Sequence, residues 1–530
     1  MAVTNDQDSV FQRLPNELTN IIFNLLPNRD IKNLRLTCHC LNQRAPLRFN
    51  RVFVSANPLN IEVFLAIAHH DTFRHQVKEL IWDDATFQSL QTSTDDYDDD
   101  FGSEEEGSGD HDYQGDSWFS RRCRQAIGDH MSRLDIIYGN EQRRSLLPSR
   151  ESLSYYERLF EEQAPVLESR ADEEAVRYVL QKSRFPNLMK VTVTPAAHGF
   201  LFSPLYETPM IRAFPPGFVY PIPRGWTYAI DIYSPGDAEP WDHEEEKKKW
   251  RGVQIMSRLL ADQDIPCSLP ELSFDNHQLP TGINHYVFDQ PNDEYDNLCR
   301  ILERPGFKRI TLSVLMGWLS DQDAQDWDFL KKGRIRNALA KASDLEEITF
   351  QTDYPLEEHC WESPAVDTVS LFDIFPIDQW STGGLKHFGL SGMQVTQEEL
   401  LSVIEKLSPT LQSIELSFLS FIEGTGNHAG ILADIRDKLE WRHRPVNQRI
   451  RLRMLVRINQ EIGRYTCLDK EINDYLYGDG PPPFGVDASG GSWAMILPGA
   501  GMEYDEFDTD YVKPCKRLRD IPRDVEEVSG

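Results

Sequence analysis

Short segments in which apolar and polar residues alternate recur along the chain. Each has the pattern apolar-x-x-apolar-x-apolar, and they occupy residues 77–82, 188–193, 307–312, 345–350, 385–390 and 411–416. Because the side chains of a strand point alternately to opposite faces, this spacing predicts short strands that each bury one face. The pattern therefore predicts six such strands spread over most of the chain.

Helical patterns lie between or before several of these predicted strands. Apolar residues recur at helical spacing in residues 153–166, 171–182, 293–307, 333–345 and 396–411. A strand–helix unit of this length cannot enclose a core by itself, whereas stacked units can, with parallel strands lining one face. We therefore expect a mixed α/β or α+β fold, built as an irregular strand–helix solenoid. A doubly wound α/β domain uses the same alternation and is the alternative.

Residues 14–46 carry a denser apolar pattern of the helical type. Apolar side chains recur every few positions, at Leu18, Ile21, Ile22, Leu25, Leu26, Ile31, Leu34, Cys38 and Leu41. This spacing predicts two or three short helices joined by tight turns. About 35 residues are too few to shield all of these side chains from water. Either the rest of the chain or a second protein must cover the remainder, and the spacing is compatible with both.

The residue identities in this stretch resemble the F-box motif. The resemblance rests on the leading Leu14-Pro15-x-Glu17-Leu18, the central Pro27-x-x-Asp30-Ile31 and the later Leu34-Arg35-Leu36-Thr37-Cys38. It implies a three-helix module that docks on a Skp-type adaptor, which attaches to the cullin and RING subunits of an SCF-type ubiquitin ligase. Carried over by position, the adaptor-binding residues would be Leu14, Pro15, Glu17, Ile21, Ile22, Leu25, Leu34 and Leu41.

After this module come the segments VKELIWDDATF, YYERLFEEQ, FPNLMKVTV and LQSIELSFL, in an order that resembles fungal F-box proteins with degenerate leucine-rich repeats. The resemblance implies a substrate receptor that is not an enzyme, needs no cofactor and holds a client protein on its repeats. Two alternatives stay open, an F-box scaffold that acts outside ubiquitination and an α/β nucleotide-binding protein. The latter would use Gly424–Gly430 before a predicted helix, although the glycine spacing differs from that of known phosphate-binding loops.

Shifts in composition divide the chain into segments. Residues 95–116 hold eleven acidic residues and no lysine or arginine, a composition that cannot bury enough apolar surface to order itself. We expect a disordered N-terminus at 1–10, the F-box at 11–57, a connecting helix and first repeat-like strand at 58–92, an acidic disordered insertion at 93–117, the leucine-rich-repeat-like domain at 118–470 and a Gly/Pro-rich, charged tail at 471–530.

Overall charge and cysteine content argue against several classes of function. The 530 residues carry a net charge of −30, which argues against general binding to nucleic acid or to an anionic membrane surface. No apolar run reaches the roughly 18 residues of a membrane span, and the first residues lack a secretory signal. We therefore expect a protein of the cytoplasm, the nucleus or both. The eight cysteines lack the paired spacing of a zinc site, so no metal site is predicted.

Residues 449–458, RIRLRMLVRI, alternate arginines with apolar residues. A single strand over this segment would place Arg449, Arg451, Arg453 and Arg457 along one face. Guanidinium groups pair bidentately with carboxylate or phosphate groups. We therefore predict a client-binding ledge for an acidic or phosphorylated segment. The alternatives are an edge strand that faces solvent and arginines that pair with the chain's own carboxylates.

Overall fold

The computed structural model describes most of the chain, namely residues 14–26, 28–90, 118–133, 146–227, 238–266, 269–319, 324–353, 369–457, 462–485 and 495–515. Three predictions fall outside these residues: the disordered N-terminus at 1–10, the acidic insertion at 93–117 and the end of the predicted tail at 516–530.

The described helices form two sets. An N-terminal unit, residues 14–47, contains α1 (Asn16–Leu25), α2 (Asn28–Thr37) and α3 (His39–Arg44). The rest of the chain, called the body here, contains α4 (Pro58–His69), α5 (Trp118–Arg133), α6 (Ser149–Ser169), α7 (Ala171–Gln181), α8 (Pro209–Arg212), α9 (Glu244–Lys249), α10 (Arg251–Ala261), α11 (Asp293–Leu302), α12 (Asp328–Lys331), α13 (Arg334–Leu339), α14 (Leu371–Ile374), α15 (Ile377–Gly383), α16 (Gln397–Leu407), α17 (His428–Asp437) and α18 (Asp469–Tyr477).

The described strands all belong to the body. They are β1 (Arg51–Val54), β2 (Glu79–Asp83), β3 (Lys190–Thr194), β4 (Glu271–Phe274), β5 (Ile283–Asn284), β6 (Arg309–Leu315), β7 (Gly317–Leu319), β8 (Ala324–Asp326), β9 (Glu347–Thr352), β10 (His387–Ser391), β11 (Gln394–Val395), β12 (Ser413–Ser417), β13 (Ser420–Phe421), β14 (Arg451–Arg453), β15 (Leu455–Arg457), β16 (Arg464–Cys467), β17 (Met502–Asp505) and β18 (Asp508–Pro514).

A mostly parallel central sheet organises the body, which is therefore of the mixed α/β class. Its strands lie in the order β1-β2-β3-β4-β6-β9-β10-β12-β14, and each is parallel to its neighbours, while the short β5 pairs with β6 beside this series. Successive strands are thus added at the same edge. Helices of neighbouring connections also contact each other in chain order, as α10 does with α11 and α16 with α17.

The two faces of this sheet differ in chemistry. The second residue of each strand is buried by 98% or more, in one registered row of Val52, Leu80, Val191, Leu272, Ile310, Ile348, Phe388, Ile414 and Leu452. This row belongs to one continuous apolar core that runs from Val52 to Phe484. The first and third residues of each strand point the other way, to what we call the open face.

All six strands expected from the repeated pattern are present. They correspond to β2, β3, β6, β9, β10 and β12, which begin about two residues into each patterned segment. β1 and β4 were not predicted, although Phe49-x-x-Val52-x-Val54 and Leu269-x-x-Leu272-x-Phe274 repeat the same spacing. β4 pairs with β3 on one side and with β6 on the other, so it lies inside the sheet.

Much of the described part of the segment predicted as a tail, residues 471–530, forms helix and strand. Helix α18 continues to Tyr477 and contacts β14. β17 and β18 complete a four-stranded antiparallel sheet with β15 and β16, here called the C-terminal sheet. Gly499 and Gly501 both have φ of 85°, a left-handed conformation that glycine adopts without strain. The glycines therefore build a turn that leads into β17.

The C-terminal sheet is held against the carboxyl ends of β3 and β4. Phe507, in the β17–β18 turn, packs with Ala196, Phe200 and Leu279, which lie in the segments after those strands. Buried Asp505 accepts a hydrogen bond from Arg464 Nε at 2.9 Å and pairs with Arg133 at the end of α5. These contacts join the last described strands to the middle of the body.

Candidate protein-interaction surfaces

The N-terminal unit has a small core of its own. Phe23, Ile31 and Ala45 are fully buried, and the partly buried residues packed on them are Leu26, Leu34, Leu41 and Leu47. This cluster is separate from the core of the body. The segment after α3 is tied back to α2, because Asn28 Oδ1 accepts a hydrogen bond from Arg48 N at 3.0 Å. The unit therefore closes on itself before the chain enters β1.

Several large apolar side chains of this unit face solvent. Leu18, Ile21 and Leu25 are 48%, 57% and 80% exposed, and they follow one another at helical spacing along α1. Leu36 on α2 is 85% exposed. Among soluble proteins, a group of large exposed apolar residues marks an interaction site more often than a lone one does. We call Leu18, Ile21, Leu25 and Leu36 the apolar surface.

The structure divides the predicted adaptor-binding residues into two groups. Pro15, Glu17, Ile21 and Leu25 are exposed, whereas Leu14 and Ile22 are half-buried. Leu34 and Leu41 pack on the small core of the unit. These two leucines are therefore placed to support the unit from inside. Leu18 and Leu36 are also exposed, but they were not among the predicted adaptor-binding residues. Their apolar character was the signal in the sequence that could have identified them.

Cys38 has a local structural role. It is the N-cap of α3, and its Sγ accepts a hydrogen bond from Leu41 N at 3.4 Å. Among the side chains that the structure describes, no group of three His, Cys, Asp or Glu residues is placed to hold a metal ion.

A ladder of alternating charges crosses the open face of the central sheet. The first residues of neighbouring strands are in register, in the order Arg51, Glu79, Lys190, Glu271, Arg309, Glu347, His387, Ser413 and Arg451. Glu79 lies 2.7 Å from Arg51 and 3.8 Å from Lys190. Glu271 bridges Lys190 at 2.9 Å and Arg309 at 3.4 Å. The charges of the first six strands thus neutralise one another.

A groove lies over the second half of this ladder. Its volume is about 250 Å³, and its lining includes Arg309, Glu347, His387 and Ser413. At its rim, Lys308 Nζ and Lys386 Nζ each lie 2.7 Å from Glu346, and these hydrogen bonds lower the pKa of Glu346 to about 2. The first strands are less open, because Tyr206 packs 5.9 Å from Phe53 over the same face.

The predicted strand at 449–458 is divided in two, so its four arginines do not form one row. Arg449 lies in a turn before β14, Arg451 and Arg453 lie in β14, and Arg457 lies in β15. The pairing of β14 with β12 ends at Arg453, opposite Glu415, and the chain leaves the central sheet at Met454. Ser417 Oγ then accepts a hydrogen bond from Leu455 N at 3.2 Å. β15 pairs instead with β16 of the C-terminal sheet.

These arginines also differ in their partners. Arg453 lies 3.5 Å from Glu415 and 3.9 Å from Asp469, so it is paired within the chain. The Arg457 guanidinium lies 5.8 Å from the centre of the Phe418 ring. Arg451 is exposed, and within the described part of the chain it has no carboxylate at ion-pair distance. Of the four arginines that were predicted to form a client-binding ledge, Arg449 and Arg451 therefore remain candidates.

Three backbone donors of the loop at Gly424–Gly430, those of Thr425, Asn427 and Gly430, are used within the chain. Asn427 caps α17 by accepting a hydrogen bond from Gly430 N at 2.8 Å, and Gln397 Oε1 accepts one from Asn427 N at 3.2 Å. A Cβ atom at Gly430 would lie 2.4 Å from Gln397 Oε1, so glycine permits this close approach. These N–H groups are not available to a phosphate, which favours a structural role for the loop.

A buried polar cluster lies at the carboxyl end of β2. Asp84 accepts hydrogen bonds from Gly252 N at 2.6 Å, Trp226 Nε1 at 2.9 Å and Trp82 Nε1 at 3.1 Å. Burial nevertheless raises the pKa of Asp84 to about 6. Asp84 thus fastens β2 to the start of α10. The sequence signal was a pair of acidic residues directly after a buried strand.

Asp83 and His198 form the second part of this cluster. Asp83 Oδ2 lies 3.9 Å from His198 Nε2, and His198 Nδ1 lies 3.1 Å from the Tyr220 hydroxyl. Burial raises the pKa of Asp83 to about 7 and lowers the pKa of His198 to about 3. Asp83 is 2% exposed and His198 is 1% exposed. A substrate cannot reach them, so they are internal contacts of the fold.

Comparison of the chain with known protein families finds no matching family, and comparison with curated proteins finds no sequence that matches significantly. Of the helices in the described ranges, none combines the length and apolar character that crossing a membrane requires. Function must therefore be inferred from the surfaces themselves.

Proposed function

We propose that this protein is an F-box-type substrate receptor of an SCF-type ubiquitin ligase. The N-terminal unit docks on a Skp-type adaptor, and through it on the cullin and RING subunits, while the body holds a client protein. The observation that carries this proposal is the apolar surface of Leu18, Ile21, Leu25 and Leu36, which is exposed among the residues that the structure describes.

The apolar surface has the properties of a docking face. Its unit already has a closed core in Phe23, Ile31 and Ala45, so the exposed leucines are not needed for that core. Burying one Leu or Ile side chain contributes about 1.5–3 kcal/mol. Four such residues can therefore supply much of the free energy of a stable complex. Three of them lie on one face of α1, as expected for a helix that packs against another helical protein.

The body is proposed to be an irregular solenoid of leucine-rich-repeat type. The support is the order of its sheet, in which each new parallel strand is added beside the preceding one, with helices returning on the buried side. Such an arrangement presents a broad open face to a client protein. Catalysis by the complex is then positional, because a bound client raises the effective concentration of its lysines near the conjugating enzyme. The receptor itself needs no cofactor.

The test is binding of the full-length protein to a purified Skp-type adaptor. Ile21→Lys with Leu25→Lys should weaken binding by at least about 100-fold, because two apolar contacts are lost and two charges would be buried. Leu59→Lys with Val512→Lys is the matched control, since both residues are exposed apolar side chains of the body. This control should bind as the unsubstituted protein does. Absence of adaptor binding by the unsubstituted protein would refute the proposal.

A scaffold that acts outside ubiquitination would also bind the adaptor. Reconstituted ubiquitination separates the two functions. With a substrate receptor, the complex transfers ubiquitin from the conjugating enzyme to proteins that are captured by the body of this chain. The Ile21→Lys, Leu25→Lys variant should abolish that transfer. A scaffold gives adaptor binding without transfer to any captured protein.

A further inference from the structure

The loop between α17 and β14 concentrates positive charge in an acidic protein. Its cations are Lys438, Arg442, Arg444 and Arg449, and Arg451 follows as the first residue of β14, whereas Glu440 is the one carboxylate between residues 438 and 451. Lys438 and Arg442 pair within the chain, with Asp434 at 2.9 Å and Asp479 at 3.3 Å. The whole chain carries a net charge of −30. Because screening limits electrostatic interactions to about 8 Å at physiological salt, a ligand at this loop meets mainly the local cations.

Two aromatic rings form a platform beneath this loop. Trp441 is fully buried, and its ring stacks on that of Tyr477 with centroids 6.3 Å apart and planes inclined by 6°. The Tyr477 hydroxyl donates to Ile450 O at 2.7 Å and accepts from Ile450 N at 3.0 Å. The platform is therefore fixed to the start of β14.

Each ring of the platform carries an arginine. The Arg444 guanidinium lies 5.1 Å from the centre of the Trp441 ring, and that of Arg449 lies 5.0 Å from the centre of the Tyr477 ring. Contact with an aromatic ring orders a guanidinium without using its N–H donors. Within the described residues, neither arginine has a carboxylate at ion-pair distance. Both are thus ordered in advance for an external anion.

Space for an extended ligand lies beside this pair. A groove of about 840 Å³ runs between the end of α16 and the loop. Its lining includes Lys438, His443 and Arg444 and also two carboxylates, Glu405 and Glu440. Val446 is 77% exposed between the two arginines in sequence and offers an apolar contact. Because Arg444 lines this groove, an extended segment that lies in the groove can reach the Arg444 guanidinium.

We propose that residues 438–451 bind an acidic segment of a client protein, with Arg444 and Arg449 pairing with its carboxylate or phosphate groups. This inference rests on the proposed role as a substrate receptor and names the chemical class of the client. A protein segment fits better than nucleic acid, because a long polyanion would also meet the negative charge of the rest of the chain. The site differs from the predicted arginine row, since it adds Arg444 and excludes Arg453 and Arg457.

The experiment measures binding of fluorescent peptides to the full-length protein by anisotropy. The probes are a glutamate–serine peptide, the same peptide with phosphorylated serines, and an uncharged glutamine–serine peptide. Both anionic peptides should bind and the uncharged one should not, with affinity falling as salt rises. Tighter binding of the phosphorylated probe would identify phosphate as the source of the charge. Binding of a single-stranded oligonucleotide in preference to both anionic peptides would overturn the proposal.

The variants distinguish binding at a specific site from general electrostatic attraction to the protein. Arg444→Ala with Arg449→Ala should weaken peptide binding by about tenfold or more, because hydrogen bonds to charged groups are lost. Arg150→Ala with Arg158→Ala removes the same charge from α6 and should change affinity by less than about twofold. Arg444→Lys with Arg449→Lys keeps the charge and should give an intermediate loss, since lysine lacks the bidentate geometry. Equal loss in the two alanine variants would overturn the proposal.

Adaptor binding is measured on the same preparations. If the adaptor binds and the anionic peptides do not, only the inference about residues 438–451 fails. If the peptides bind and the adaptor does not, only the proposed ligase function fails. A melting temperature shared by all variants shows that folding is not the cause of either result.

Discussion

Leucine residues of the N-terminal unit and of the body share a helical spacing but have opposite exposures. Leu25 and Leu36 are 80% and 85% exposed, whereas Leu400 and Leu407 of α16 are fully buried. In the body, α16 contacts the neighbouring helices α15 and α17, and Leu400 and Leu407 join the core that covers the buried row of the sheet, so the apolar face of α16 is covered. In the N-terminal unit, three short helices cover little beyond Phe23, Ile31 and Ala45. An apolar stripe thus predicts a helix, but the neighbours of that helix decide whether the stripe is buried.

The same substitution in the two cores should give the largest difference. Phe388→Ala removes a fully buried ring from the central sheet and should lower the free energy of unfolding of the body by about 3–5 kcal/mol. Phe23→Ala removes an equally buried ring from the N-terminal unit. Because the two cores are separate, the second variant should destabilise only that unit. Chemical denaturation measures the body, and hydrogen exchange of amides 16–45 measures the unit.

A shared loss would contradict this comparison. If Phe23→Ala lowered the unfolding free energy of the body as much as Phe388→Ala does, the N-terminal unit would be part of one cooperative core. Its exposed leucines would then have to be explained within that core.

The body also contains buried titratable side chains, among them Asp83 and His198. We expect these two side chains to have opposite effects on the pH dependence of its stability. The pKa of Asp83 is about 7 in the folded protein and 3.8 in the unfolded chain, so the folded state binds the proton more tightly. Asp83 therefore lowers the free energy of unfolding as the pH rises between these values. The pKa of His198 is about 3 in the folded protein and 6.5 in the unfolded chain, so the unfolded state binds the proton more tightly. His198 therefore raises the free energy of unfolding as the pH rises from about 3 to 6.5. From about pH 4 to 6.5 the two contributions oppose each other.

Single substitutions should therefore reveal each contribution. Asp83→Asn should make the slope of unfolding free energy against pH more positive, by up to about 1.4 kcal/mol per pH unit. His198→Asn should make the slope more negative by a similar amount. Denaturant titrations at several values between pH 4.5 and 6.5 measure both slopes. Unchanged slopes in both variants would mean that neither group has a shifted pKa in the folded state.

The charge ladder of the open face should contribute less. Glu271→Gln breaks contacts with Lys190 at 2.9 Å and Arg309 at 3.4 Å, and the three side chains are 21–37% exposed. Partly exposed pairs are screened, so we expect a loss of about 0.5–1 kcal/mol at low salt and less at high salt. Glu157→Gln on α6 is the control, because Glu157 is exposed and has no ion pair within the described ranges. A loss that did not depend on salt would argue against an electrostatic cause.

Much of the body could be predicted from local patterns. Six strands follow from the apolar spacing, because every repeat needs the same two apolar residues to reach the buried face. β4 was not among the predicted strands, and its pairing with β3 and β6 places it in the sheet. β17 and β18 were missed because a Gly/Pro-rich segment precedes them and their own residues, many of them polar, gave no alternating apolar pattern. Pairing of β17 with β16, and of β18 with β17, supplies the order instead.

The candidate sites were predictable to different extents. Apolar character identified Ile21 and Leu25, but spacing could not separate them from Leu34 and Leu41, which face inward. Arg449 and Arg451 were visible as an alternating pattern. Arg444 was missed because its significance depends on the stacked rings of Trp441 and Tyr477, which are distant in sequence and meet only in the fold.

The smallest effect on stability is expected at the surface that carries the functional proposal. Leu25→Ala with Leu36→Ala should change the stability of the N-terminal unit by no more than about 0.5 kcal/mol, since both side chains already face water. Hydrogen exchange of amides 16–45 measures this change, and the unfolding of the body should not move. A loss above about 2 kcal/mol would show that the chain's own residues cover these leucines in solution. The surface proposed for the adaptor would then be part of the fold, and its exposure would no longer support a docking partner.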